Sequence, residues 1–467
     1  MAKNNSRSIR PFGMRDKLGY MFGDFGNDFT FILSSMFMMK FYTDVMGISS
    51  AVVGVLMMLA RFVDAFTDVT MGQLVDRSKP TKDGKFRPWL KRMCGPVAIS
   101  SFLIYQASFA NMAYGFKVFW MFFTYILWGS IFYTSINIPY GSMASAISAD
   151  PKDRAQLSTW RTIGATLAGL VIGAATPLIA YDVVNGATVL NGMKMTVISG
   201  VFGVCAIICY LLCFNLVRER VEVPQNTTKL NVGAMLKSIG TNRALLGIIV
   251  AAIMLLLGQL GMQGMAPYIF PVYYNSAEAQ TAASLVGALA MLVICAPLAV
   301  RLSTRMGKKE LSIASCLLGA VMWIVCLIVR PTSPVLYIVF FTLAMVGLGF
   351  FNTVIWAMIT DVIDDAEVKS GVREDGTIYS VYSFARKVGQ ALSAGMIGGV
   401  LELIGYSDAV AKNPAAYPGV MNSMFSWSCL IPAIGLIAVA VALIFIYPLN
   451  KAKVEANAAE LKRRRGE

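Results

Sequence analysis

Long apolar runs separated by short charged or turn-forming segments recur along the whole chain. At about 1.5 Å of rise per residue, a helix of about 20 such residues crosses a hydrocarbon layer about 30 Å thick. One helix per run predicts six in a first half, near 18–46, 50–75, 89–110, 116–147, 158–182 and 193–217. Six more are predicted near 244–275, 280–303, 311–329, 334–362, 376–404 and 418–447. The expected fold class is an all-α membrane protein of twelve transmembrane helices in two six-helix halves. Its expected parts are an N-terminal bundle over 1–217, a polar cytoplasmic linker over 218–243, a C-terminal bundle over 244–447 and a basic cytoplasmic tail over 448–467. A degenerate internal repeat agrees with the two halves: GQLVDR at 72–77 follows the second predicted helix and RLSTRMGKK at 301–309 follows the eighth. Paired six-helix halves around a site near the bilayer midplane are a transporter architecture.

Composition narrows the class. With 57% hydrophobic residues among 467 and a mean hydropathy of +0.63, the chain is too apolar for a soluble protein. The formal charge of +14 does not point to nucleic acid, because the basic residues fall between apolar segments and not on one soluble face. Membrane lipid is the partner that this distribution implies. Arg7, Arg10, Arg15, Lys79, Lys82, Lys85, Arg87, Lys152, Arg154, Arg218, Arg220, Arg305, Lys308 and Lys309 all fall on one predicted side, with the KRRR of the tail. Lys117, Lys194, Arg330 and Lys412 fall on the other. The excess marks the cytoplasmic side, so both termini are expected there, in a multi-pass protein of the bacterial inner membrane that works as a monomer. Residues 1–17 lack the apolar core of a cleavable signal and are read as retained. The 8 cysteines lie in apolar segments and the chain has no histidine, so the cysteines are read as packing residues and no metal beyond a coupling Na⁺ is expected.

Four carboxylates stand out against this apolar background. Asp64 and Asp68 are one helical turn apart within 51–71, and Asp24 and Asp28 repeat the spacing in the preceding helix. Each buried carboxylate costs about 2.5 to 3.5 kcal/mol on membrane-insertion scales, so such residues pair, face water or bind something. No GxxxxGK(S/T) phosphate loop or other ATP-using motif is present, which leaves an ion gradient as the energy source and no cofactor. A monovalent cation falling through 100 mV supplies about 2.3 kcal/mol, enough for roughly fifty-fold accumulation of a neutral solute. Asp64 and Asp68, with the Thr67 hydroxyl, can give oxygen ligands to Na⁺, or one can carry a proton; the competing reading is an ion pair with Arg61.

Other residues suit a polar, multiply hydroxylated substrate. In GDFGNDF at 23–29, glycines allow close approach and Asp28, with Asp24, can accept from vicinal hydroxyls; the competing reading is that Asp24 or Asp28 neutralises a helix of the partner half. Tyr133, Thr134 and Asn137 precede Pro139, which loosens the fourth helix. Arg161, read as the start of the fifth helix, either bonds substrate hydroxyls or snorkels to the interface. Trp356 in FNTVIW either stacks on a sugar ring or packs in the core. YSVYSFARKVGQ at 379–390 places Tyr382, Arg386 and Lys387 in an otherwise apolar helix, Lys387 being the expected partner of the aspartates. Asp76 and Arg77, and Asp361, Asp364 and Arg373, form charge clusters read either as solvated loops or as a cytoplasmic gate.

These motifs, together with FYTD at 41–44, RFVDAFTD at 61–68, DGKFRPW at 83–89 and NIPYGS at 137–142, resemble the glycoside-pentoside-hexuronide cation symporters (melibiose permease-like) of the major facilitator superfamily. The resemblance runs through nearly all the chain. It implies a major facilitator fold and cation carboxylates at Asp64 and Asp68, with Thr134 and Lys387 tied to cation binding or coupling. It also implies sugar contacts at Asp28, Arg161, Trp356 and Lys387. Asn137 stands where the melibiose pattern has a second sugar-binding aspartate, and Gly141 where it has a tryptophan, which argues against galactosides. Thr67 replaces an asparagine, so Na⁺ and H⁺ both stay open. NIPYGS and the ArgLys pair look more like the glucuronide and xyloside branch. The expected activity is import of a glycoside, a glucuronide or a pentoside favoured, with Na⁺ or H⁺ by alternating access. A lysolipid or amphiphile carrier of the same fold and a sugar sensor that does not transport are the rivals; an enzyme is not expected, since no nucleophile constellation is visible.

Overall fold

The computed structural model describes residues 10–221, 242–371 and 375–465. The chain is helical almost throughout, in α1 (Met14–Lys40), α2 (Ser50–Arg77), α3 (Arg87–Ile104), α4 (Tyr114–Ile147), α5 (Pro151–Ala180) and α6 (Gly192–Leu216). There follow α7 (Arg243–Tyr273), α8 (Ala277–Cys295, continued by Ala296–Met306), α9 (Lys308–Val329), α10 (Pro334–Ser370), α11 (Asp375–Leu403), α12 (Pro418–Phe445) and α13 (Lys451–Arg465). Nine helices among the described residues are long and apolar enough to cross a membrane. α1, α3 and α11 are 27, 18 and 29 residues long and fall outside that set; α1 carries Asp24, Asn27 and Asp28, and α11 carries Arg386 and Lys387.

Helix starts follow local chemistry. Asp150 caps α5 by accepting from Lys152 N at 2.8 Å, with Pro151 in the first turn, and Asn242 caps α7 by accepting from Ala244 N and Leu245 N at 3.0 Å each. Glu402 of α11 accepts from Ala51 N at 3.3 Å and Ser50 Oγ at 3.1 Å at the start of α2. α10 ends at Gly371, whose φ of +74° suits a residue without a side chain. Between α5 and α6 lies a hairpin absent from the sequence expectation, β1 (Tyr181–Val184) and β2 (Ala187–Leu190). Its turn residues Asn185 and Gly186 have φ of +52° and +81°, the left-handed pair that tight hairpins favour.

The chain forms two compact units. The first holds the described residues up to Ile48, Phe62–Tyr181 and those from Leu190 to 221; α1 packs on α5 and α6, and α3 on α6. The second holds Ser49–Arg61, Asp182–Val189 and the described residues from 242 onward, so α2 gives its first turns to this unit. There α7 packs on α11 and α12, and α9 on α10 and α12, around a core that includes Leu255, Trp323, Tyr337, Phe351 and Phe425. α9 and α10 approach closely at glycines: a Cβ on Gly347 would lie 2.8 Å from Gly319 Cα and 2.6 Å from the Ser315 carbonyl oxygen. Such small-residue crossings suit helices packed in lipid, where no hydrophobic force drives association. On α6, Val197, Val201, Val204 and Ile208 form an exposed apolar stripe, each more than half exposed at 59, 54, 57 and 52%. Water would not tolerate many such stripes, whereas lipid requires them.

The first residues of the expected linker are anchored. Arg220 donates to Asp16 at 2.9 Å and to the Arg10 carbonyl oxygen at 2.8 Å, and Glu219 binds the start of α3. The rest of that stretch lies outside the described residues. The expected basic tail is a helix, α13, whose Asn457 donates to the fully buried Asp365 at 3.0 Å.

Candidate functional site

In the first unit, α4 is not a regular helix. Ile126–Tyr133 winds as a π-helix, with i to i+5 bonding. In an α-helix two residues five apart point about 140° apart; the wider turn brings Tyr125 and Ser130 to one face. Both meet the buried Asp64: Ser130 Oγ donates to Oδ1 at 2.6 Å and Tyr125 OH to Oδ2 at 3.3 Å. One turn along α2, Asp68 Oδ1 lies 2.7 Å from Thr134 Oγ1, whose hydroxyl also lies 3.0 Å from the Gly129 carbonyl oxygen. A Cβ on Gly129 would lie 3.2 Å from the Tyr125 ring, so a side chain there would press on the ring that meets Asp64. Two carboxylates and three hydroxyls thus converge within one unit. Each hydroxyl oxygen keeps lone pairs while it donates, so the set can bind a hard cation or hold a proton. Thr67 differs from expectation. Its hydroxyl donates to the Asp64 carbonyl oxygen of its own helix at 3.2 Å, the local back-bond that threonine favours, and not to either carboxylate. Ser130 and Tyr125 were missing from the sequence reading because their alignment depends on the π turn.

On α1, Asp24 and Arg161 of α5 form an ion pair, Nε to Oδ1 at 2.9 Å. The guanidinium lies 5.5 Å from the Tyr140 ring centre, and Tyr140 OH donates to the Tyr20 carbonyl oxygen at 2.7 Å. α5 begins at Pro151 and not near 158, so Arg161 lies about 15 Å along it and not at its start. Asp28, half-buried one turn beyond Asp24, makes no hydrogen bond to another described residue. Between them in sequence, Asn27 accepts from Tyr210 OH at 2.8 Å and donates to Asn137 Oδ1 at 3.4 Å. Tyr133 stacks on Phe31, with ring centres 5.8 Å apart. The unit therefore gathers Asp24, Arg161, Asn27 and Asn137 into polar contacts that sequence spacing alone does not reveal.

Removing one partner from a buried pair leaves an uncompensated charge, which costs about 3–5 kcal/mol. The 44% exposure of the Arg161 side chain lowers that for this pair to about 1–3 kcal/mol. Arg161→Gln and Asp24→Asn are each expected to lower the melting temperature of the protein in detergent, with the double substitution less harmful than their sum. Additive losses in a double-mutant cycle would mean that the two side chains do not act as a pair.

In the second unit, Trp356 of α10 is 43% exposed, so it does not serve as core packing. The buried Tyr382 of α11 meets it edge-on, with ring centres 5.2 Å apart, and the half-buried Arg386 places its guanidinium carbon 5.5 Å from the Trp356 ring centre. Lys387 follows on α11, half-buried and turned about 100° from Arg386. The charge clusters are not loops. α10 continues to Ser370, so Asp361 and Asp364 lie inside a helix. Asp361 accepts from Lys308 Nζ at 2.6 and 2.8 Å. At the end of α2, the Asp76 carbonyl oxygen accepts from Lys85 Nζ at 3.0 Å while Arg77 is exposed. Arg373 lies outside the described residues.

Long apolar helices, lipid-suited surfaces and carboxylates held inside the spans define a multi-pass membrane carrier. The chain belongs to the MFS/sugar transport protein family, whose sequence profile matches residues 19–451. It is 30% identical to the "Glucuronide carrier protein homolog" of Escherichia coli (strain K12) over 457 residues, 97% of this chain and 96% of that one. It is also 30% identical to the "Isoprimeverose transporter" of Lactiplantibacillus pentosus over 442 residues, 93% of this chain and 89% of the other. The crystal structure of a D-xylose-proton symporter superposes with a TM-score of 0.60 at 14% identity, covering 94% of this chain and 98% of that chain. The fold is that of the major facilitators.

Proposed function

We propose that this protein is a secondary symporter that imports a glycoside with Na⁺ or H⁺ by alternating access. The observation that carries the reading is the pair Asp64 and Asp68 on one face of a membrane-spanning helix, met by hydroxyls of Ser130, Tyr125 and Thr134. Carboxylates gathered there with hydroxyl oxygens can take up a cation from one side and release it on the other. A cation bound at the pair would neutralise it, and Asp28 in the same unit would remain for the sugar. The loaded carrier would then reorient, whereas the carrier with cation alone would move poorly. Family membership and the names of the relatives support a glycoside, with a glucuronide or a pentoside favoured. A lysolipid carrier needs an apolar wall, and Asp24, Asn27, Asp28 and Asn137 argue against one. The same reading puts both termini in the cytoplasm of a bacterial cell and Lys308 with Asp361 at a cytoplasmic gate.

The test is uptake of labelled methyl glycosides into proteoliposomes with an imposed Na⁺ or H⁺ gradient. Accumulation under one gradient and not the other would identify the ion; saturable binding with no uptake under either would favour a sensor.

A further inference from the structure

Two arginines lie among the residues proposed for the substrate, and their surroundings differ. Arg161 is matched by Asp24 at 2.9 Å, so its charge is already answered within the protein. Arg386 is not answered in this way: no acidic side chain among the described residues pairs with it. Its contacts are aromatic. The guanidinium carbon lies 5.5 Å from the Trp356 ring centre and 5.9 Å from that of Tyr382, and Nη1 donates to Tyr382 OH at 3.4 Å. The position makes this arrangement costly unless it has a use. Arg386 lies about 16 Å along α11, deep in a helix long enough to cross the bilayer, where a guanidinium facing hydrocarbon is strongly disfavoured. A guanidinium there calls for water or a polar partner, and the 43% exposed Trp356 lies beside it.

Contact with aromatic rings holds the guanidinium without neutralising it, and with one Nη1 bond made to Tyr382 the fork keeps further N–H donors for an acceptor. A carboxylate matches the fork with two parallel hydrogen bonds, which a hydroxyl cannot do. We propose that Arg386, clamped by Trp356 and Tyr382, reads the acid group of an anionic sugar, so that a hexuronide and not a neutral pentoside is the preferred cargo. This inference rests on the glycoside-transport reading and decides between its two favoured substrates.

The experiment uses two probes that differ only at C6, methyl β-D-glucuronide and methyl β-D-glucoside, taken up by the full-length protein in the same vesicles. Wild type is expected to favour the glucuronide. Arg386→Gln is expected to shift the ratio of the two kcat/KM values toward the glucoside by about tenfold or more, as the loss of a charge-assisted hydrogen bond implies. Arg386→Lys, which keeps the charge without the fork, is expected to fall between. The ratio is internal to each preparation, so a smaller folded fraction does not alter it, and Arg386→Lys carries the test if the glutamine variant does not fold. A ratio unchanged within about twofold in both variants, or a wild type that favours the glucoside, overturns the assignment. Uptake of neither probe under either gradient, nor by exchange, overturns the transport reading on which it rests.

Discussion

Asp64→Asn and Asp68→Asn are each expected to abolish cation-driven accumulation in proteoliposomes, taking a ratio of roughly fifty-fold at 100 mV down to simple equilibration. Asparagine keeps the size of the side chain and removes the charge, so packing is nearly conserved while the site loses what attracts a cation. The donors sharpen the expectation for Asp64. Ser130 Oγ and Tyr125 OH both point their hydrogens at this carboxylate, at 2.6 and 3.3 Å. An amide presents two N–H hydrogens on one side and only one oxygen on the other, so one of the two hydroxyls would meet a donor and have to turn away. At Asp68 the Thr134 hydroxyl can fall back on the Gly129 carbonyl oxygen at 3.0 Å, so that hydroxyl keeps a partner when the carboxylate is removed. Accumulation is measured as the internal to external ratio of labelled glycoside with the gradient imposed. If either variant accumulated substrate as wild type does, that carboxylate would not be part of the coupling site.

What the sequence made legible follows from periodicity and composition. Helix positions came within a few residues in most cases because long apolar runs leave little freedom, and the carboxylates announced themselves by their cost in such runs. The exceptions share a cause: information carried by distant partners or by unusual winding. Spacing rules assume 3.6 residues per turn, and the π segment of α4 breaks that assumption where Tyr125 and Ser130 meet Asp64. Arg161 was placed at a helix start because Pro151 and the charges after it read as loop, whereas Asp150 caps a helix that runs straight through them. The charges beyond 362 fall past the predicted helix end, because a charged stretch reads as loop. They remain helical because Lys308 and, from α13, Asn457 answer Asp361 and Asp365. Asp24 and Arg161 are 137 positions apart, and no local pattern pairs them. Trp356 was undecided in sequence, and its exposure settles only that it is not core.

The DGKFRPW motif at 83–89 was legible as a motif but not as a mechanism, and its geometry sets the second large expectation. Glu219, just beyond α6, accepts from three consecutive backbone N–H groups, Lys85, Phe86 and Arg87, at 2.8, 2.9 and 2.8 Å. Those are donors at the start of α3 that no earlier turn of helix can satisfy. Arg87 returns the contact, donating from Nε and Nη2 to the Phe214 carbonyl oxygen at 3.0 and 2.6 Å at the end of α6. Gly84 makes the approach possible. Its φ is +107°, and a Cβ there would lie 2.5 Å from the Glu219 carboxyl. Any side chain would thus meet both a strained backbone and the carboxylate itself. Glu219→Ala removes the acceptor from the N–H groups of three buried residues, and net losses of about 1.5–3 kcal/mol for a hydrogen bond to a charged group, partly recovered by water, make a total loss of about 3 kcal/mol the expectation. Gly84→Val should be comparable, while Glu219→Gln, which keeps one acceptor oxygen, should be milder. Thermal unfolding in detergent, monitored by size-exclusion chromatography after heating, would rank the three. A Glu219→Ala protein as stable as wild type would mean that water replaces the carboxylate at little cost, and that the charge in this loop serves something other than holding α3 to α6.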